Sequence, residues 1–214
     1  MSWRGEVVPL QWRIAVGGVF QYFSMNFITL VMFRYEGATI AGQMGMTWML
    51  MTTLGMACMS WVQARVPQFG MLVARGEFDE LDRRFKRLTL VSWSAVTVAG
   101  AALWGVVFSL QHFDWDLGTR LLQPLPTGIL IIAVLMKHVP DCFNLYIRAH
   151  KREPMSLLAL VVVSNSIIGV LVWLVGGYLE LGAVGAAAGY LAGVALIIFP
   201  GATLIWWRCR RDWH

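Results

Sequence analysis

Charge is what this sequence has least of. Asp, Glu, Lys and Arg together make up only 14% of the residues, where a soluble domain carries about 25%. That shortage excludes a globule with a fully wetted surface. Cysteine is nearly as scarce: Cys58, Cys142 and Cys209 are the only three, far apart and without a CxxC pair. A disulfide framework and a cysteine metal site are both excluded, and the thiols read as core residues or as a reduced thiol in the basic tail. The four histidines, His112, His138, His150 and His214, have no metal-ligand spacing. No nucleophile elbow, phosphate-binding loop or dinucleotide fingerprint stands out. The reading is therefore of a protein that is not an enzyme, with no catalytic residues, no cofactor and no metal.

What is present in excess is apolar sequence. Hydrophobic residues make up 58% of the chain, and the mean hydropathy is +0.63. They come in blocks of about 20 residues, the length that crosses a hydrocarbon core of roughly 30 Å. The expected spans are 11–33, 40–62, 88–110, 124–147, 156–179 and 182–207. They form one all-α, six-helix transmembrane domain, 1–214. The first block is too long, and too poorly ended by small residues, for a cleaved leader. The longest connections are 63–87 and 111–123.

The formal charge of +5 sits in those connections. With the N-terminus inside, the inner segments hold Arg4, Arg13, Arg65, Arg75, Arg83, Arg84, Lys86, Arg87, Arg148, Lys151, Arg152, Arg208, Arg210 and Arg211. The outer loops hold only Arg34 and Arg120, and Lys137 falls within a span. This bias places both ends in the cytoplasm. It also accounts for the basic charge without a nucleic-acid partner. Trp12, Trp61, Trp206, Trp207 and Trp213 fall at the same ends, as interfacial rings do.

Within the long inner connection, Phe78, Leu81, Phe85 and Leu88 recur at helical spacing, with acids leading and bases following. The expectation is a short amphipathic helix over 77–88 at the cytoplasmic surface, covering helix ends and meeting anionic lipid. A partner-docking helix is the alternative.

The fourth span carries Lys137, His138, Asp141 and Asn144. An intramembrane charge costs several kcal/mol unless it is paired or hydrated. Lys137 and Asp141 are four residues apart, hence on one helix face, and Asn144 continues that face. Pro140 removes one backbone hydrogen bond and marks a kink. These four residues are the candidates for a substrate or translocation path. The competing reading starts the span near Leu121 and lets Lys137 snorkel to the inner interface, neutralised by Asp141. Gln21, Asn26, Thr29, Gln43, Thr47, Ser164, Asn165 and Ser166 read mainly as interhelical hydrogen-bonding groups. Gly185, Gly189 and Gly193 leave one bare helix face for close packing within the bundle or across a dimer.

Three stretches together resemble the polysaccharide flippase and O-antigen transporter branch of the multidrug/oligosaccharidyl-lipid/polysaccharide exporters. They are Gly42-Gln-Met-Gly45 opening a helix that runs to Arg65-Val-Pro67; the segment Pro67 to Gly76 leading to Leu81 and Phe85; and Tyr146-Ile-Arg-Ala-His-Lys-Arg-Glu-Pro154 followed by Gly182-Ala-Val-Gly-Ala-Ala-Ala-Gly189. The resemblance implies a bacterial inner membrane, a lipid-linked glycan as substrate, and Lys137 with His138 as cavity residues that hold it. Members of that family have twelve to fourteen spans, so this chain resembles one six-helix half. The implied partner is a second copy or a second membrane subunit. Two alternatives stand beside it: a non-transporting scaffold for cell-surface polysaccharide synthesis that docks enzymes through 63–87, and an intramembrane transferase, for which Asp141 alone is a poor signature.

Overall fold

A backbone in lipid must satisfy its hydrogen bonds internally, and this chain does so with helices. The computed structural model describes residues 8–150 and 154–213, and all the long elements there are helical. Helix α1 spans Val8–Tyr35, α2 Ala38–Gln63, α3 Val66–Arg75, α4 Phe78–His112 and α5 Pro124–Ala149. Helices α6 (Met155–Tyr178) and α7 (Gly182–Trp213) follow. Each of the last two contains a π-helical stretch, Val172–Tyr178 in α6 and Val194–Ile198 in α7. Five of these, α1, α4, α5, α6 and α7, are long and apolar enough to cross a bilayer. Helix α2 matches them with 26 residues and no charged side chain, but its glycines, threonines and methionines make it less apolar.

The helices run up and down because the links are short. Glu36 and Gly37 alone join α1 to α2, with Gly37 at φ 86°, a conformation that disfavours any side chain. Both ends of the described chain therefore lie at one end of the bundle, where His150 meets Trp213 with ring centroids 5.0 Å apart. That end also carries Arg65, Arg75, Arg83, Arg84, Lys86 and Arg87 around α3 and the start of α4. Arg34 and Arg120 lie at the other. Arg4, Lys151, Arg152 and His214 fall outside the described residues.

The expected surface helix over 77–88 takes a different form. Those residues are the first turns of α4, which runs unbroken for 35 residues, about 52 Å. The preceding segment, read from sequence as part of a polar connection, forms α3. Pro67 needs no donor in its first turn, and Gly76 ends it in the left-handed conformation at φ 73°. Leu81 and Phe85 are buried against Phe69, Leu72, Phe143 and Tyr146. Their apolar face is covered by protein, not lipid, because α3 folds back under it. Only the opposite face, with Arg83, Arg84, Lys86 and Arg87, is exposed.

Helix α5 is central and packs against α2, α3, α4 and α7. One apolar core joins Met32, Met44, Trp48, Leu130, Ile168 and Tyr190. A second, at the basic end, is the aromatic cluster under α3. The outer surface is apolar along its length, with Met49 and Val98 each 70% exposed and Leu196 75% exposed. In water such a surface would aggregate; in a bilayer it is the expected solvent-facing side.

Candidate functional site

Lys137 sits at the middle of the 26-residue α5. One turn on, Asp141 shares its face, and Lys137 Nζ donates to both carboxylate oxygens, at 2.8 and 2.7 Å. The lysine side chain is 15% exposed and the aspartate 37%. Pairing offsets part of the cost of placing each charge among apolar helices. The rest is offset by space, since the pair looks into a cavity of roughly 530 Å³ between α1, α2, α5, α6 and α7. Glycines make that room: a Cβ on Gly18 would touch nothing within 4 Å.

The cavity has a direction. Arg13, Gln63 and Arg148 line it at the basic end of the bundle, where α1 begins and α2 and α5 end. At its far end Trp48 meets Tyr190 edge-on, centroids 4.9 Å apart. Beyond that pair Met44, Thr47, Leu122 and Leu130 are at most 2% exposed and seal the bundle. Leu122 N–H donates to Thr47 Oγ1 at 3.0 Å, and Gln43 Nε2 to Thr119 O at 2.7 Å, which pins the connecting segment over the seal. On its other side a vestibule of roughly 740 Å³ opens to the opposite end, among Glu36, Gln43, Gln111, Gln123 and Glu180.

All four residues singled out in α5 line the inner cavity, but they do different things. Lys137 and Asp141 bind each other. His138 is 3% exposed and ties α5 to α4 through Ser92 Oγ, 2.8 Å from Nε2. Asn144 has its amide oxygen buried and, among the described residues, without a hydrogen-bond partner. The Lys137 side chain runs along its own helix toward the basic end, where Asp141 neutralises it one turn on, a direction that both the path and the snorkelling readings share. Helix α5 stays continuous across Pro140.

The other polar residues in the spans are mostly spent locally. Asn26 Nδ2 donates to Tyr22 O, Asn165 Nδ2 to Val161 O and Ser166 Oγ to Val162 O, each one turn back. Gln43 and Thr47 instead bond the segment that follows α4, and Gln21 faces the cavity. The three glycines of α7 are packing positions in this structure. A Cβ on Gly185 would lie 2.5 Å from Val175 O, and one on Gly189 2.8 Å from Leu171 O. One on Gly193 would collide with Ile168.

Sequence reasoning missed a second polar cluster. Asp82 is 7% exposed; Tyr146 Oη donates to its Oδ1 at 2.7 Å and Arg210 Nε to its Oδ2 at 2.6 Å. It joins the starts and ends of α4, α5 and α7 beneath stacked Phe143 and Trp206, centroids 4.7 Å apart. The signal was present: Asp82 falls between Leu81 and Phe85, on the apolar face of a run that is otherwise charged. The Trp48–Tyr190 contact had no such signal, because aromatic residues inside apolar spans look alike.

Fold and cavity together define a multi-pass, all-helical membrane protein with a polar chamber inside its own bundle. No family model, no curated protein and no solved structure matches the chain.

Proposed function

We propose that the protein is a flippase-like component of polysaccharide or lipid-linked oligosaccharide export in a bacterial inner membrane. The observation that carries this reading is the chamber holding Lys137 and Asp141 halfway along the bundle, open toward one end and sealed toward the other. A chamber sealed on one side is one of the two states that alternating access requires. The basic end of the bundle faces the cytoplasm by the distribution of Lys and Arg, so the chamber opens inward. A hydrated site of that kind suits an amphipathic, anionic ligand whose headgroup enters while its lipid stays in the bilayer. Alternating access by rocking bundles needs two of them, and the second is supplied by another copy or another subunit.

The test is glycan display at the cell surface in strains carrying Lys137→Ala or Asp141→Ala at wild-type abundance. Loss of display in both supports the reading; unchanged display in both overturns the site.

A second reading has its own observation. Arg83, Arg84, Lys86 and Arg87 form an exposed basic face on a rigid stretch of α4, suited to docking a cytoplasmic enzyme on a scaffold. Reversing those charges would then abolish function while Lys137→Ala would leave it intact.

A further inference from the structure

The buried histidine of the chamber has a hydrogen-bond arrangement that determines where its proton sits. Ser92 Oγ lies 2.7 Å from Cys58 O and 2.8 Å from His138 Nε2. A serine hydroxyl has one hydrogen, and a backbone carbonyl has none to give. At 2.7 Å the Ser92 hydrogen must therefore point to Cys58 O, since two bare oxygens would repel. Ser92 then has only lone pairs left for the ring, so Nε2 carries the hydrogen and donates it. The neutral imidazole has its free lone pair on Nδ1.

Ser92 is fully buried, so this relay has no water to replace it. His138 also lines the chamber, and Asp141 follows it by three residues, which are neighbours on a helix surface. The titratable or charged groups that line the chamber with the ring are Lys137, Asp141 and Arg148 on α5, Arg13 across the chamber on α1 and Tyr190 on α7, while Cys58 on α2 offers its carbonyl to Ser92. Helix α4 contributes Ser92, which does not titrate, and α6 only Leu157, Leu158 and Val161.

We infer that His138 is a proton-binding site: its Nδ1 takes a proton from chamber water, and the resulting imidazolium competes with Lys137 for the Asp141 carboxylate. The step forms one N–H bond at Nδ1 and breaks one O–H bond of a hydronium ion, which is left as neutral water. Nε2 keeps its hydrogen bond to Ser92 throughout. The chamber thus exchanges a closed Lys–Asp pair for one whose ammonium is released when the histidine is charged. This does not depend on the identity of any transported ligand.

The experiment is NMR of the full chain in nanodiscs with ¹³C/¹⁵N-labelled His and ¹³C-labelled Asp, titrated from about pH 8 to pH 4.5, a span that brackets ordinary histidine behaviour. One histidine is expected as the pure Nε2–H tautomer at the alkaline end and as imidazolium at the acid end. The signal is absent from His138→Gln, and Ser92→Ala gives mixed tautomers. The Asp141 carboxyl resonance, assigned by Asp141→Asn, moves with the same midpoint. If His138→Gln does not fold, His112→Gln/His150→Gln/His214→Gln leaves His138 as the sole histidine and makes the assignment. An Nδ1–H tautomer, a ring that stays neutral throughout, or an Asp141 signal that ignores the ring's titration overturns the inference.

Discussion

Two carboxylates differ sharply in how they are held. Asp141 looks into open space and has one partner; Asp82 is shut away with two. Removing one member of a buried ion pair leaves the other charge uncompensated, which costs about 3–5 kcal/mol when burial is complete. Arg210 keeps 37% of its side chain exposed, so Asp82→Asn is expected to destabilise by less, about 1–2 kcal/mol, and Tyr146→Phe by about 1 kcal/mol. A double-mutant cycle in thermal unfolding should show the two coupled; additive effects would mean the network is only apparent. For Lys137 and Asp141 the expected order is different. Each single replacement should be less stable than the pair Lys137→Met/Asp141→Leu, because the double variant leaves no lone charge. Equal stability of all three would show that chamber water already screens the pair. That the two could pair was readable in sequence, since i, i+4 spacing puts them on one helix face. For Asp82 only its place on the apolar face between Leu81 and Phe85 was legible; its partners Tyr146 and Arg210 come from α5 and α7, which the sequence of α4 does not specify.

At the scale of the helices, the blocks of apolar sequence located all six long helices, because twenty apolar residues have few other places to go. Their ends were less legible. Helix α4 begins ten residues before its apolar block, since charged residues that form good helix continue it into the aqueous region without a break. Helix α3 was hidden by its length: its ten residues, mostly apolar, sit inside a connection that is polar as a whole. The α6–α7 hairpin carries the tightest backbone approach, and it yields a prediction with a built-in control. Gly185→Ala puts a methyl group 2.5 Å from Val175 O and should cost about 1–3 kcal/mol. Gly105→Ala in α4 meets nothing within 4 Å and should be neutral or slightly stabilising, by up to about 1 kcal/mol. Thermal unfolding in detergent separates the two. Equal melting temperatures would remove the packing role from the hairpin glycines.

For the molecule as a whole, direction matters most. One end carries most of the described basic residues and the mouth of the chamber; the other carries the seal and a second vestibule lined by Glu36 and Glu180. Sequence placed the charges but not the chamber, which exists only because five helices meet around small residues on α1 and α2. Single cysteines at Gln21 and Met56, in a background with Cys58, Cys142 and Cys209 replaced, should react with a membrane-impermeant thiol reagent from the cytoplasmic side. A cysteine at the lipid-facing Val98 should not. Labelling from the opposite side would reverse the orientation. The central claim, a ligand-holding chamber in an assembly of two bundles, is tested most directly by native mass spectrometry of the particle released from nanodiscs prepared from the cell's own membrane. The expected result is a particle of twice the 24.0 kDa chain mass, or one chain with a second membrane subunit, carrying a phosphorylated glycolipid that Lys137→Ala loses. A bare monomer in both wild type and variant would contradict the account.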